Sequence, residues 1–97
     1  MKLTDDLKAR DKSHGCFALT AYYSQSIKDI LRDSKNWRKL NYTQKESLDS
    51  IAFKIARVLS GDPDLIEHWY DINGYSELSR QDAETRSEKQ ITAKKRS

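Results

Sequence analysis

One stretch with helical periodicity constrains the fold of this chain more than any other: "NYTQKESLDSIAFKIARVLSGDPD". Thr43 and Glu46 have the T-x-x-E spacing of a capping box, and Gly61 is typical of a left-handed helix stop. We therefore expect a helix over about residues 43–60. Its apolar residues recur every three or four positions and form one stripe: Leu48, Ile51, Ala52, Ile55, Val58 and Leu59. This stripe is the most strongly predicted part of the core.

A second helix is predicted directly after this stretch. Asp62 can cap it, and Pro63 fits its first position, where the missing N–H costs nothing. We expect this helix to continue to about residue 79. Its apolar residues share one face and are predicted to lie in the core: Leu65, Trp69 and Ile72.

An earlier segment, roughly residues 16–33, is predicted to be a third helix. Its wide apolar arc is typical of a helix that contacts partners on two sides: Phe17, Leu19, Tyr22, Tyr23, Ile27, Ile30 and Leu31. Together the segments predict an all-α fold, a small bundle of three to four helices. Many such bundles complete their cores by pairing chains, so we expect a homo-oligomer.

Composition and length agree with one helical domain. The chain has 97 residues, 34% of them charged, with only three Gly and one Pro, whereas a β-rich chain would need more turn residues. No apolar run approaches the roughly 20 residues that cross a bilayer, and the opening "MKLTDDLKARDK" lacks the apolar middle of a signal peptide. With a single cysteine, Cys16, no internal disulfide can form. We expect a cytoplasmic protein without membrane contact.

The positive charge is concentrated at the C-terminal end. Residues 80–97 hold six Lys or Arg against three Asp or Glu, whereas residues 1–79 are neutral. Because this end has few large aliphatic residues, we expect a domain over 1–79 and a charged, frayed or disordered tail over 80–97. A basic tail can attract nucleic acid, or it can serve only to keep the chain in solution.

The two later helices also carry polar faces opposite their core stripes. At 100° per residue, Glu46, Ser50, Phe53 and Arg57 align on the helix over 43–60. Phe53 is an unusual residue to leave in water, so either another subunit or a ligand is expected to cover it. The polar face of this helix is thus a candidate binding surface.

Acidic residues on both helices have spacings that suit a hard cation. Glu46 and Asp49 are three positions apart, and Glu67 and Asp71 are four positions apart. Each pair can therefore meet on one helix face. Oxygen-only sites of this kind suit Mg²⁺, which could carry a polyphosphate. The same spacings are also common on solvated helices, and Glu67 in a first helical turn is explained by the helix dipole alone.

The stretches "SHGCF" and "QKESLDSIAFKIARVLSGDPDLIEHWYDINGY" resemble small phage and prophage proteins of the MazG-like all-α nucleotide pyrophosphohydrolase group. The resemblance covers about residues 8–79. Its most specific part is a final D/E-x-W-x-D-I-x-G-Y motif. The matching residues are His14, Gly15, Phe17, Glu46, Leu48, Lys54, Ile55, Arg57, Glu67, Trp69, Asp71, Ile72, Gly74 and Tyr75.

The resemblance implies a Mg²⁺-dependent enzyme that splits an NTP or dNTP into a monophosphate and pyrophosphate, in the host cytoplasm if the chain is phage-encoded. Such proteins commonly work as dimers or tetramers. The implied metal ligands are Glu46, Asp49, Glu67 and Asp71, of which Glu46 and Asp71 are also the catalytic candidates. The implied substrate-binding residues are His14, Lys54, Arg57 and Tyr75.

One motif of the wider group is missing, which leaves other functions open. The group's first acidic motif is E-E-x-x-E, whereas "QKESLD" offers only Glu46 and Asp49. The first alternative is therefore an inactive relative that binds a nucleotide or a host protein. A second alternative is an accessory protein that binds nucleic acid through its basic tail, which predicts strongly salt-dependent association.

Overall fold

The structure, a computed structural model, describes residue 12 and residues 14–96. Within this part the chain forms three α-helices and a short 3₁₀ helix, with no strand. The α-helices are α1 (Phe17–Asp33), α2 (Tyr42–Ser60) and α3 (Ile66–Arg96), and the 3₁₀ helix Trp37–Lys39 lies between α1 and α2. The predicted all-α fold, a small helical bundle, is confirmed, and α1 and α2 begin and end within one residue of their predicted bounds.

The capping residues of α2 differ from the prediction. The side chain of Asn41 accepts a hydrogen bond from the backbone N–H of Gln44 at 2.8 Å, and the Gln44 side chain accepts from the Asn41 N–H at 3.0 Å. These two residues form the capping box, so the predicted pair of Thr43 and Glu46 is wrong. Asn caps at least as well as Thr and starts the helix earlier. Gly61 ends the helix as predicted, but with a φ of −118° rather than in the left-handed region.

The helix α3 starts later than predicted and continues further. The side chain of Asp62 accepts from the backbone N–H of Asp64 at 2.9 Å, which stabilises a turn instead of capping a helix at Pro63. The helix begins at Ile66 and continues to Arg96, so the helix end predicted near residue 79 is also wrong.

The C-terminal part of α3 extends past the start of α2. The side chain of Asp82 accepts from Asn41 Nδ2 at 3.2 Å, and from residue 83 to residue 95 every side chain is exposed. The predicted frayed or disordered segment 80–97 is therefore helical as far as the structure describes it, while its role as a separate tail stays a prediction. No helix in the described part of the chain combines the length and apolar character needed to cross a membrane.

Polar contacts join α1 to one side of α2. The Oγ1 of Thr20 lies 2.7 Å from the Oγ of Ser60, near the C-terminal end of α2. Toward the other end, Arg32 Nη2 lies 3.2 Å from Asp49 Oδ2. The two helices are therefore antiparallel neighbours.

Polar contacts also join α3 to α2. Ser79 Oγ donates to Ser47 Oγ at 2.7 Å, and Lys54 Nζ lies 2.7 Å from Asp71 Oδ2. At 100° per residue, Ser47 and Lys54 lie about 140° around α2 from the residues that contact α1. The helices α1 and α3 thus flank α2 on nearly opposite sides and pack mainly against it. The three helices form a layer.

The centre of this layer is made of small and polar side chains. The described buried side chains are those of Thr20, Ser24, Ser47, Ala52, Ala56, Arg57 and His68. Several residues predicted to lie in the core are instead exposed: Ile55 by 37%, Leu59 by 57% and Trp69 by 53%. The reason is that Ile55 and Leu59 point away from both neighbouring helices, whereas Ala52 of the same stripe is buried as predicted. The Trp69 indole instead donates to the carbonyl of Pro63 at 2.7 Å.

Two glycines, Gly15 and Gly74, differ in backbone conformation and in the space around them. Gly15 has a φ of +86°, and a Cβ there would lie 2.1 Å from the Oγ of Ser60. Gly74, within α3, has no described heavy atom within 4 Å of such a Cβ.

We predict that Gly15→Ala lowers the free energy of unfolding by about 1–2 kcal/mol from the left-handed conformation alone, and further through the clash. Gly74→Ala should raise it by about 0.5–1 kcal/mol. Urea denaturation measures both, and a Gly15→Ala midpoint equal to that of the wild type would contradict the close packing against Ser60.

An exposed ion-pair ladder supports α3. Arg80 pairs with Glu77 and with Glu84 at the spacings that favour a helix. The hydrogen bond from Arg80, with a second from Gln81, lowers the pKa of Glu77 from 4.5 to about 2. Because the folded pKa is lowered, the stabilisation is present above pH 4.5 and is lost as the pH falls toward 2. It is small, since these groups are in water.

We predict that Arg80→Gln raises the pKa of Glu77 toward 4.5, as measured by NMR titration of its side-chain carboxyl carbon. The matched control is Arg86→Gln, since Arg86 pairs with Asp82 at 3.0 Å, and Glu77 is hydrogen-bonded to Arg80 and Gln81 instead. The control should leave the Glu77 titration unchanged. Equal effects of the two substitutions would contradict the conclusion that Arg80 lowers the pKa of Glu77.

Candidate functional site

An open cleft lies on one side of the three-helix layer, with a volume of about 310 Å³. It is lined by residues of all three helices: Lys28 from α1, Glu46, Asp49, Ser50, Phe53 and Lys54 from α2, and Tyr75 from α3. The volume is at the lower end of the range for small-molecule sites. The lining combines two amines, two carboxylates and two aromatic rings, which suits a charged ligand with a flat, unsaturated part.

Four of the predicted site residues lie together in this cleft: Glu46, Asp49, Lys54 and Tyr75. A fifth, Asp71, is connected to it through its ion pair with Lys54. Asp71 and Tyr75 also line an adjacent hollow on α3. The sequence prediction therefore selected residues that the fold brings together from two helices.

The other three predicted residues are placed elsewhere. Arg57 is buried, and its guanidinium carbon lies 4.5 Å from the centroid of the Phe53 ring, so it contacts a wall of the cleft. Glu67 is exposed in the first turn of α3. The His14 ring meets the buried ring of His68 edge-on, with centroids 5.1 Å apart. None of the three is among the described residues that line the cleft.

Two basic residues partly neutralise the acids of the cleft region. Lys54 Nζ contacts Asp71 Oδ2 at 2.7 Å, with the two side chains 22% and 39% exposed. Arg32 contacts Asp49 through the carboxylate oxygen Oδ2 only. The other oxygen, Oδ1, is buried and has no hydrogen-bond partner among the described residues. A buried carboxylate oxygen without a partner is costly, so this atom is suited to receive a donor or a cation from a ligand.

The Phe53 ring is contacted by cations of its own chain. Lys28 Nζ lies 6.0 Å from the ring centroid, and the Arg57 guanidinium lies closer, at 4.5 Å. Both distances allow attraction between a cation and the ring face. Phe53 is half-buried in this way and also lines the cleft, so a ligand, rather than another subunit, is the better candidate to cover the rest of it.

Sequence reasoning missed Lys28. It placed Ser50 and Phe53 on a candidate binding surface but left open whether a ligand or another subunit covers it. Lys28 lies in the cleft because α1 contacts α2 through Thr20 and Ser24, which are buried. The apolar arc of α1 indicated a different contact face. The sequence contains one weak indication of the position of Lys28. It follows Ser24 by one helical turn and therefore lies on nearly the same face of α1.

The residues of the cleft fit a metal ion only in part. In the described part of the chain, no group of three or more His, Cys, Asp or Glu is placed to hold one. Glu46 and Asp49 share the cleft, and Asp49 Oδ1 is an oxygen without a partner among the described residues. Mg²⁺ keeps several waters and often takes one or two protein carboxylates together with substrate phosphates, so these two residues are a partial donor set that waters and bound phosphates would complete. The predicted four-carboxylate site with Glu67 and Asp71 stays a prediction.

Comparisons of the chain with protein-family models, with curated proteins and with solved structures each found no match. The resemblance to the MazG-like group therefore stays a prediction that rests on the motifs quoted above.

The Lys54–Asp71 pair can be tested by a double-mutant cycle with Lys54→Met and Asp71→Asn. We predict a coupling free energy of up to about 1 kcal/mol, because the pair is partly exposed and solvent screens it. Urea denaturation of the wild type, both single variants and the double variant measures this coupling. Additive single effects would mean that the two side chains do not interact in solution.

Proposed function

We propose that this chain binds a nucleoside triphosphate in the cleft and, with Mg²⁺, hydrolyses it to a nucleoside monophosphate and pyrophosphate. The observation that carries the proposal is the meeting of Glu46, Asp49, Lys54 and Tyr75 in one cleft that also contains Lys28 and Phe53. The cleft holds amines that suit the phosphates, aromatic rings that suit the base and carboxylates that suit the metal ion. The motifs shared with the MazG-like group support the same reaction.

The amines and the rings bind different parts of the nucleotide. Lys28 and Lys54 offer two positive charges to the phosphates, and each ammonium can donate up to three hydrogen bonds. Phe53 and Tyr75 offer flat faces on which a base can stack. Because the rings come from α2 and α3, the bound nucleotide would bridge these helices.

In this proposal the carboxylates of the cleft hold the metal ion and accept the proton of the attacking water. Glu46 and Asp49 would hold the ion, with the unpartnered Asp49 Oδ1 as one ligand atom. Bound Mg²⁺ would neutralise phosphate charge and promote deprotonation of water. Glu46 is exposed in the cleft, and in this proposal its carboxylate would accept a proton from the attacking water. When Lys54 turns to a phosphate, Asp71 loses its ion-pair partner and becomes a second candidate base.

A specific observation favours a second candidate function, a scaffold that binds a nucleotide or a host protein without turnover. Asp49 and Asp71 already have basic partners within the chain, Arg32 and Lys54. With these charges neutralised, the cleft would hold a ligand through Lys28 and the two aromatic rings. This candidate predicts binding that does not require Mg²⁺.

Calorimetric titration with Mg²⁺ and a panel of nucleoside triphosphates, with pyrophosphate release assayed on the same samples, tests the proposal. We predict that Glu46→Gln lowers the rate of release about 100-fold or more, as expected for loss of a positioned base. Its thermal midpoint should stay near that of the wild type, because Glu46 is exposed. The matched control is Glu88→Gln, an equally conservative change at an exposed position in the C-terminal part of α3.

The outcomes separate the candidates. Release that depends on Glu46 but not on Glu88 supports the enzyme. Binding without release favours the scaffold, and absence of both binding and release contradicts a nucleotide site in this cleft.

A further inference from the structure

The segment that joins α1 to α2 is strongly basic. Residues 32–45 hold five Lys or Arg against one Asp, although residues 1–79 taken together are neutral. The segment includes the last turn of α1, the 3₁₀ helix Trp37–Lys39 and the first turn of α2. One end of the three-helix layer is therefore positive, which the net charge of residues 1–79 does not reveal.

Two aromatic rings lie among these basic side chains. Arg32 Cζ lies 5.3 Å from the centroid of the Trp37 ring, and Lys45 Nζ lies 5.8 Å from the same centroid. Lys45 Nζ is also 6.0 Å from the centroid of the Tyr42 ring. Each distance allows attraction between a cation and a ring face. We call the surface formed by Arg32, Trp37, Tyr42 and Lys45 the basic aromatic surface.

The basic aromatic surface is open to solvent. Tyr42 is 88% exposed, the largest fraction among the exposed large apolar and aromatic side chains of the described residues. An open hollow of about 370 Å³ adjoins Tyr42 and is also lined by Thr43. A planar group therefore has access to the Tyr42 ring, and the Thr43 hydroxyl is free to exchange a hydrogen bond with the edge of that group.

Three further basic side chains flank this surface: Lys35, Arg38 and Lys39. All three are exposed, and none forms an ion pair with a described residue. The only acid of the segment, Asp33, follows Arg32 directly and so points about 100° away from it around α1. The three flanking charges are therefore available to an anionic partner.

We propose that the basic aromatic surface binds single-stranded nucleic acid, with bases stacked on Tyr42 and Trp37 and with phosphates at the three flanking charges. Surfaces that bind single strands combine positive charge along the backbone with aromatic rings on which bases stack. In a duplex the bases are stacked on one another, so their faces do not reach a protein ring. An acidic protein would use the charges and leave the rings without a role.

This surface is distinct from the basic C-terminal part of α3. The Asn41 side chain contacts Asp82, so α3 extends past the layer close to the basic aromatic surface. Residues 83–97 contain several Lys and Arg but no aromatic residue. They can attract phosphates but offer no ring to a base. Binding of a strand at the basic aromatic surface also does not require turnover of a nucleotide in the cleft.

Fluorescence anisotropy of labelled oligothymidylate and oligouridylate, each of about 12 nucleotides, with the full-length protein tests the proposal. Tyr42→Ala should weaken binding about 10-fold or more, as expected for loss of one stacked base, whereas Tyr42→Phe should keep the affinity. The matched control is Tyr70→Ala, since Tyr70 is 75% exposed on α3 and should not affect binding. A preference between the two strands identifies the partner as DNA or RNA.

The salt dependence of binding locates the phosphate contacts. Each single-strand phosphate contact contributes about 0.7 to the slope of log affinity against log salt concentration, so the double variant Arg38→Gln/Lys39→Gln should reduce this slope by about 1.4. The control removes two charges from the C-terminal part of α3, Lys89→Gln/Lys95→Gln, and should leave the slope nearly unchanged. Circular dichroism reports whether each variant keeps its helices.

Failure of the wild type to bind either strand at low salt, or a Tyr42→Ala variant with wild-type affinity, would overturn the proposal. Equal effects of the two double variants would place the contacts on α3 and overturn it as well. A duplex of the same length, or polyglutamate, that binds as tightly as the single strands would show attraction by charge without stacking, with the same consequence. If Tyr42→Ala loses its helices, the comparison of the two double variants decides.

Discussion

The arrangement of this protein depends on the close approach of α1 and α3 to the two sides of α2. Ala52 and Ala56 are 1% and 0% exposed, and by helical spacing they lie on the side of α2 that faces α1, where their small side chains leave room for that helix. The hydroxyl pair of Thr20 and Ser60 joins one side. Such a hydrogen bond contributes only about 1 kcal/mol net, but an unpaired buried hydroxyl would cost more. These contacts therefore fix which faces of the helices meet, more than they stabilise the fold.

The same contacts explain why the two sides of the layer differ chemically. With small and polar groups between the helices, the larger side chains must leave the plane of the layer on one side or the other. Lys28, Phe53 and Lys54 leave it toward the cleft, whereas Ile55 and Trp69 leave it on the opposite side. A flat arrangement of amphipathic helices thus produces one surface suited to a charged ligand and one suited to an apolar partner.

The sequence predicted helices better than it predicted burial. The three-to-four-residue period is a local signal, so the bounds of α1 and α2 were correct to within one residue, although the capping pair predicted for α2 was wrong. The period shows that Ile55 and Trp69 each belong to an apolar stripe, but not what covers that stripe. Within one chain nothing described covers it fully, and both residues are exposed. The C-terminal extent of α3 was missed because its ion pairs stabilise a helix without any apolar contact.

The candidate site, like the fold, was predictable only where it depends on local spacing. Glu46, Asp49 and Lys54 are close in sequence, so helical spacing alone brings them near one another. The contribution of Lys28 depends on how α1 packs, and the ion pair between Lys54 and Asp71 depends on how α3 packs. These contacts join distant parts of the sequence, and no local pattern encodes them.

Residues two positions apart on a helix point in nearly opposite directions, and this offset bears on how such a chain can change over evolutionary time. Phe53 and Ile55 are close neighbours in sequence, yet one lines the cleft and the other lies on the opposite surface. Substitutions at one set of positions can therefore alter the cleft without changing the opposite surface. A chain of this design can change the chemistry of one surface step by step while the other surface keeps its apolar character.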